Sequence, residues 1–226
     1  MFSLQNKTAV VTGAGSGIGQ AIAELFARQG ASVWIIERDP TAAAAIVKVI
    51  REAGDLANRA VAEISDSAAV HTLTAQIPFA HILVNYAGIG HVGNLMTTSA
   101  GDLDRLHAVN VRGPFNLCKA FVPFMLERGQ GSVINLASIG GLLAVRDHLA
   151  YTITKHAVIG LTKALALDHS HTGVRFNTIC PGRVETPFVK ARIAEYPDPA
   201  KAYADMASIQ FNGRMARPDE IAAAAL

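Results

Sequence analysis

A short β-branched run, Thr8–Thr12, passes straight into a turn with four glycines in seven residues, Gly13-Ala14-Gly15-Ser16-Gly17-Ile18-Gly19. Ile18, Ala21, Ile22, Leu25 and Phe26 then recur at helical spacing. No other stretch restricts the fold as much. A helix that leaves a strand through so short a turn must pack back on the sheet to which that strand belongs. Glycines allow the tight turn and the close approach of a pyrophosphate, and a helix amino terminus adds amide donors and a positive dipole end. Gly13, Gly17 and Gly19 spell GxxxGxG rather than GxGxxG, and Gly15, Gly17 and Gly19 crowd a second spacing into the same loop. Taken alone, the turn equally suits a strand-to-helix connection with no ligand.

The rest of the chain repeats the alternation. Strands are predicted at Ser32–Ile36, Arg59–Ile64, His81–Asn85, Ser132–Leu136 and Val174–Ile179, and helices at Thr41–Ala53 and Ser67–Ile77. Asp102–Glu127 reads as one long helix that should kink at Pro114, which has no amide hydrogen for the Asn110 carbonyl. This alternation predicts an α/β fold: a single Rossmann-like domain over residues 1–226, with a mostly parallel sheet flanked by helices on both faces. Hydrophobic residues make up 50% and charged residues 17%, which argues against extended disorder. The 20 Lys+Arg and 18 Asp+Glu leave a net charge of +2 with the basic residues scattered, which speaks against nucleic-acid or anionic-membrane partners. No window reaches the ~18 apolar residues of a membrane span. Cys118 and Cys180 make neither a disulfide framework nor a metal site, and they suit a reducing, cytoplasmic compartment.

Glu37 ends the second strand, 18 residues after Gly19, where a carboxylate accepts hydrogen bonds from a ribose diol and repels a ribose phosphate. NAD is therefore expected in preference to NADP. The adjacent Arg38 keeps the other cofactor open if it turns toward a phosphate, and a solvated Glu-Arg pair would look the same. Tyr151 and Lys155 lie four residues apart at the start of a helix that continues through Val158, Leu161 and Leu165, so both project to one face. An ammonium beside a phenol lowers the phenol pKa, which suits proton exchange with an alcohol or ketone. Ser138 follows the Ser132–Leu136 strand, and its hydroxyl can polarise a carbonyl or position an alcohol. A Tyr/Lys pair alone is commonly surface decoration; the glycine loop in the same chain gives it weight.

With these motifs together, the chain resembles the short-chain dehydrogenase/reductase family over essentially its whole length. Thr12–Gly19 matches TGxxxGxG, Tyr151-Thr152-Ile153-Thr154-Lys155 matches YxxxK, and Ser138 stands at the familiar distance before it. Asn110, in Asn110-Val111-Arg112-Gly113, matches the catalytic asparagine, and Pro181-Gly182 with Thr186 matches PGxxxT. The resemblance implies that Tyr151 is the general acid/base and that Lys155 holds the nicotinamide ribose and tunes Tyr151. Ser138 would orient the reacting oxygen, and Asn110 would hold a water that links Lys155 to solvent. It further implies a dinucleotide site formed by Gly13, Ser16, Gly17, Ile18, Gly19, Glu37, Glu63, Ile64, Asn85, Ala87 and Gly88. Tyr151, Lys155, Pro181, Gly182, Val184 and Thr186 would complete it toward the nicotinamide, with no metal. Three departures stand out. Tyr86, in Asn85-Tyr86-Ala87-Gly88, replaces a small polar residue, and the stretch between Glu63 and Asn85 is about one helical turn shorter than in common relatives. The sequence also stops inside the expected last helix, before the family's final strand, either because the chain is incomplete or because the protein lacks that edge strand.

Thr186–Gly213 is predicted to form a mobile helical lid. Arg146 and His148 join Ser138 and Tyr151 as the expected substrate contacts, although a solvated arginine explains Arg146 equally well. His91, Arg183, Lys190, Arg192 and Gln210 are further polar candidates. Cys180–Pro187, Arg192-Ile193 and Gly213-Arg214 resemble members that act on sugar-derived or other small hydroxy acids. The expected function is NAD-dependent interconversion of a small polar secondary alcohol and its ketone. The alternatives are an NADP-dependent ketone reductase and a non-catalytic dinucleotide-binding regulatory protein. The family also implies a homotetramer, otherwise a homodimer, paired through Asp102–Glu127 and the helix beginning near Ala150. Phe115, Leu117, Phe121, Val122 and Met125 exceed what one side of a solvated helix carries.

Overall fold

The computed structural model describes residues 2–77, 79–169 and 171–226. Its strands are β1 (Thr8–Thr12), β2 (Ser32–Glu37), β3 (Ala57–Val61), β4 (Ile82–Asn85), β5 (Gly131–Leu136) and β6 (Val174–Ile179). They form one sheet in the order β3-β2-β1-β4-β5-β6 with every pairing parallel. The order reverses at β1, where Val10 stands opposite Trp34 on one side and Leu83 on the other. The loops after β1 and β4 therefore leave in different directions and open a crevice at the carboxyl edge of the sheet.

Helices α1 (Gly17–Arg28), α2 (Pro40–Glu52) and α9 (Pro218–Ala225) cover one face, on which Ala9 and Val11 bury Ile22, Phe26 and Ile50. The other face carries α3 (Ser67–Gln76), α5 (Gly113–Arg128) and α6 (Leu149–His169), with Val10, Leu73 and Leu83 in its core. Side chains alternate between the faces along β1, so adjacent residues enter separate cores. Full burial of each large apolar side chain contributes about 1.5–3 kcal/mol. Local chemistry sets the helix starts. Asp39 accepts the amides of Thr41 and Ala42 at the head of α2, and Ser99 with Asp102 forms a capping box on α4 (Ala100–His107). Two short helices, α7 (Pro187–Ala194) and α8 (Pro199–Ser208), occupy the predicted lid segment around Ile193, Ala202 and Met215.

Three expectations are corrected. The Asp102–Glu127 helix is interrupted by a π turn at Ala108–Arg112 between α4 and α5. Pro114, near the start of α5, cannot donate to Asn110, and the chain accommodates this as a wide turn in which the Gly113 amide reaches back to the Ala108 carbonyl. That turn carries Asn110 inward, to 1% exposure. Second, Leu117, Phe121, Val122 and Met125 are core residues, and only Phe115 of the five apolar residues is exposed. Third, β3 ends at Val61, so Glu63 and Ile64 lie in the loop after it rather than in the strand.

Candidate active site

The glycines of the first loop stand where other backbone comes close. Gly13 has φ +68°, and a Cβ there would lie 2.7 Å from the Cα of Ala87. Gly17 has φ +60°, with Thr186 Cγ2 3.2 Å from its Cβ position, and a Cβ on Gly19 would lie 2.5 Å from the Gly13 carbonyl. No side chain fits between these segments. Ser16 caps α1 in extended backbone and makes no side-chain capping bond, so its hydroxyl does not occupy the amides at the head of the helix. Tyr86 fills a local gap beside them, with Cδ1 2.6 Å from the Cβ position of Gly19 and its hydroxyl 3.5 Å from that of Gly17. Burial pushes the Tyr86 phenol pKa up, against an opposing hydrogen bond from the Ile18 backbone. Thr12 does work that the motif alone did not reveal: its Oγ1 accepts the amides of Tyr86 and Ala87, each at 3.1 Å, and so fixes the turn after β4.

At the end of β2 the Glu37 carboxylate accepts the amides of Gly15 at 3.2 Å, Arg38 at 2.8 Å and Asp39 at 3.4 Å. Arg38 is 75% exposed and stands 4.0 Å from Glu63. The other Glu63 oxygen takes the Ser65 amide and hydroxyl, while the buried Ile64 offers its carbonyl to Asn116. The Asn85 side chain does not serve the crevice. It is 2% exposed and donates to Asn135 at 2.7 Å; Asn135 donates to Thr162, and Thr162 to the Val158 carbonyl. That chain ties β4 to β5 and α6, which leaves the Asn85 backbone for any cofactor contact.

Ser138, Tyr151, Lys155 and Asn110 come together across the crevice. A Cβ built on Gly140 would lie 3.5 Å from both Ser138 Oγ and Tyr151 Cε1. The His148 and Tyr151 rings are 6.2 Å apart, and Lys155 Nζ lies 5.6 Å from the Tyr151 ring centre. Lys155 is 7% exposed, its ammonium donates to the Leu136 carbonyl at 2.9 Å, and burial lowers its pKa to about 8. Tyr151 departs from expectation. Burial pushes its phenol pKa up and outweighs the lowering by the Ser138 hydrogen bond and the Arg183 charge. Asn110 grips the Ile89 backbone, accepting its amide at 2.8 Å and donating to its carbonyl at 2.9 Å, and donates also to Thr154. Buried Thr154, an unspecified position within YxxxK, passes that contact to the Tyr151 carbonyl. Asn110 Oδ1 and Lys155 Nζ face each other over Gly88, at 3.1 and 3.7 Å from its Cβ position.

The loop after β6 closes the crevice. The Pro181 carbonyl accepts the Ile139 amide at 2.9 Å, next to Ser138, and Thr186 caps α7 through the Val189 amide. Buried Val184 bridges to Ala216, and the Cβ position of exposed Gly182 lies 2.6 Å from Gln210 Oε1. Arg146 is exposed on the rim, and its carbonyl accepts His148 Nδ1–H at 2.7 Å. Among the described residues no group of three or more His, Cys, Asp or Glu could hold a metal ion, and no helix is long and apolar enough to cross a membrane.

The short chain dehydrogenase family profile matches residues 7–197. The chain belongs to that family. It is 35% identical over 227 residues to an uncharacterized oxidoreductase of Thermotoga maritima, spanning 100% of this chain and 90% of that one. It is 36% identical over 221 residues to the 2-keto-3-deoxy-L-fuconate dehydrogenase of Xanthomonas campestris, spanning 97% and 72%. A crystal structure of a candidate NAD(P)-dependent gluconate 5-dehydrogenase from Beutenbergia cavernae, with low-occupancy NADP, superposes with TM-score 0.91 at 33% identity, covering 99% of this chain and 89% of that one. The dehydrogenase is thus an oxidoreductase of the NAD(P)-dependent kind. The Gly13, Gly17 and Gly19 turn, which carries no side chain of its own at these positions, and the head of α1, which Ser16 does not cap through its side chain, fit a dinucleotide.

Proposed function

We propose that this dehydrogenase prefers NAD and interconverts a small polar secondary alcohol, such as a polyol, sugar or sugar-derived hydroxy acid, with its ketone. Glu37 carries the cofactor half of the reading. Its carboxylate is fixed by three backbone amides at the end of β2, where it can accept from a ribose diol and repel a phosphate. The names of the Xanthomonas and Beutenbergia relatives, which concern a deoxy sugar acid and gluconate, support the polar substrate class.

The nicotinamide supplies the hydride acceptor or donor when bound. The rest falls to the chain's own side chains. Ser138 orients the reacting oxygen, and Tyr151 gives its proton to that oxygen or takes one from it. A phenol kept protonated by burial is ready for the donating direction. Lys155 and Asn110, facing each other over Gly88, leave room for a water that returns protons to the site. Val184, Pro181, Gly182 and Thr186 shape the nicotinamide side. Arg146 and His148 stand at the substrate rim.

A fluorescence titration should show NADH binding more tightly than NADPH, and Glu37→Ser should narrow the gap. NAD reduction during incubation with a panel of polyols and sugar acids tests turnover; NADH binding without turnover of any of them would indicate a binding protein instead. The NADP reading has two observations of its own: Arg38 is exposed and held only by a 4.0 Å ion pair with Glu63, and the Beutenbergia structure contains NADP. Equal or tighter NADPH binding selects it. We further propose a homotetramer, otherwise a homodimer, through α5 and α6, on which Phe115, Phe124, Ile153 and Leu167 remain exposed. Light scattering that gives a monomer mass at micromolar concentration refutes it.

A further inference from the structure

The cations on the lid side of the crevice fall into two groups. Lys190 pairs with Glu185, Arg192 with Glu195, Lys201 with Asp205, Arg214 with Glu220 and Arg217 with Asp219. Arg183 is half-buried, and its guanidinium has no hydrogen bond or ion pair among the described residues. The carboxylate nearest to it in sequence, Glu185, is already engaged by the Tyr203 hydroxyl at 2.5 Å and by Lys190. A half-buried guanidinium with no protein partner among the described residues is available to pair with an incoming anion.

The Arg183 backbone is held on both sides. Its amide donates to Gln210 Oε1 at 3.4 Å, and its carbonyl accepts the Ala216 amide at 2.9 Å. Two residues earlier, the Pro181 carbonyl is bonded to the Ile139 amide, next to Ser138. Arg183 thus stands on a fixed loop bonded to the residue after Ser138, and its charge acts on the Tyr151 phenol, where it favours loss of the proton. Arg146 differs: it lies on the exposed side of its loop.

We propose that Arg183 pairs with a carboxylate of the substrate and thereby sets the adjoining carbinol against Ser138 and Tyr151. The inference rests on the oxidoreductase reading and narrows its substrate to a hydroxy acid. A planar guanidinium binds a carboxylate through two parallel hydrogen bonds, which orients the ligand as well as holding it.

Calorimetric titration of gluconate, and of sorbitol as its neutral counterpart of equal chain length, into NADH-saturated protein tests this without turnover. The parent protein should bind gluconate more tightly than sorbitol. Arg183→Met should lose about tenfold to a hundredfold more affinity for gluconate than for sorbitol, as expected for a charge-assisted pair. Arg183→Lys should recover part of the loss and serves in its place if Arg183→Met does not fold, then showing a smaller loss in the same direction. Arg192→Met, which breaks a paired surface cation, should keep the preference. The proposal is overturned if the parent shows no preference for gluconate, including no binding of either compound, or if the Arg183 variants keep it. Turnover of a neutral polyol with NAD but without a gluconate preference sinks the Arg183 assignment and leaves the oxidoreductase reading standing. A gluconate preference that is lost in the Arg183 variants, with no turnover of any alcohol, keeps the carboxylate pairing and sinks the oxidoreductase reading.

Discussion

Replacing Lys155 by methionine should stabilise the free protein while it stops catalysis. The Lys155 ammonium is 7% exposed and, among the described residues, has one acceptor, the Leu136 carbonyl at 2.9 Å. Burial lowers its pKa from 10.5 to about 8. At ~1.4 kcal/mol for each tenfold change in proton affinity, this opposes folding by about 3 kcal/mol at neutral pH. The sign follows from linkage. The unfolded chain holds this proton more tightly, so stability rises with pH between about 8 and ~10.4, and the whole penalty is present below about 8. Methionine keeps an unbranched stem and removes the charge. It also takes a donor from the Leu136 carbonyl, which costs about 1 kcal/mol. The expected net gain at pH 7 is about 2 kcal/mol, or ~4–8 °C in Tm for a chain of this size. At pH 10 most of the penalty has gone from the parent and the gain should disappear. Urea unfolding of both proteins without cofactor, at pH 7 and pH 10 and with matching m-values, measures this. A variant less stable than the parent at pH 7, or a difference that does not change with pH, would refute the reasoning.

Tyr151→Phe should keep most cofactor affinity and lose turnover, because the ring stays and the exchangeable proton goes; substantial steady-state activity rules the mechanism out. Gly54→Ala and Gly13→Ala separate backbone strain from overlap. Both glycines have positive φ, but nothing lies within 4 Å of the Cβ position at Gly54, whereas Gly13 meets the Ala87 backbone at 2.7 Å. Gly54→Ala should cost about 1–2 kcal/mol and Gly13→Ala clearly more; equal urea midpoints for the two variants would contradict this. His81 Nδ1 accepts the Thr8 amide at 3.0 Å, and burial, with help from Lys7 and Arg128, lowers its pKa below 6.5. The unfolded chain therefore takes up the proton first, and stability should fall as pH drops from 6.5 toward the folded pKa. His81→Asn, which can still accept that amide through its side-chain oxygen, should flatten the Tm-against-pH curve over this range, and an unchanged curve would show that His81 is not responsible.

Local patterns carried much of this protein in the sequence itself. The positions of β1 and β6, the glycine turn, and the four-residue spacing of Tyr151 and Lys155 depend on neighbours within a few residues, so they are legible without a fold. The π turn at Asn110 was half legible: Pro114 announces a fault in hydrogen bonding but not the geometry that resolves it. What depends on burial was not legible. Leu117, Phe121, Val122 and Met125 looked like surplus apolar surface until the sheet beneath them was in place. Thr12 and Asn85 find partners more than 30 residues away, in contacts that no spacing within either segment encodes. The same holds for charge. Tyr151 and Lys155 stand together as their spacing requires, but the phenol pKa goes up because desolvation, set by everything packed around the ring, outweighs the charges near it. Arg146 and Arg183 are both loop arginines in the sequence, and only the tertiary structure half-buries Arg183 on a loop bonded to the segment after Ser138 and leaves its guanidinium without a partner among the described residues, because burial and pairing are properties of the packed chain.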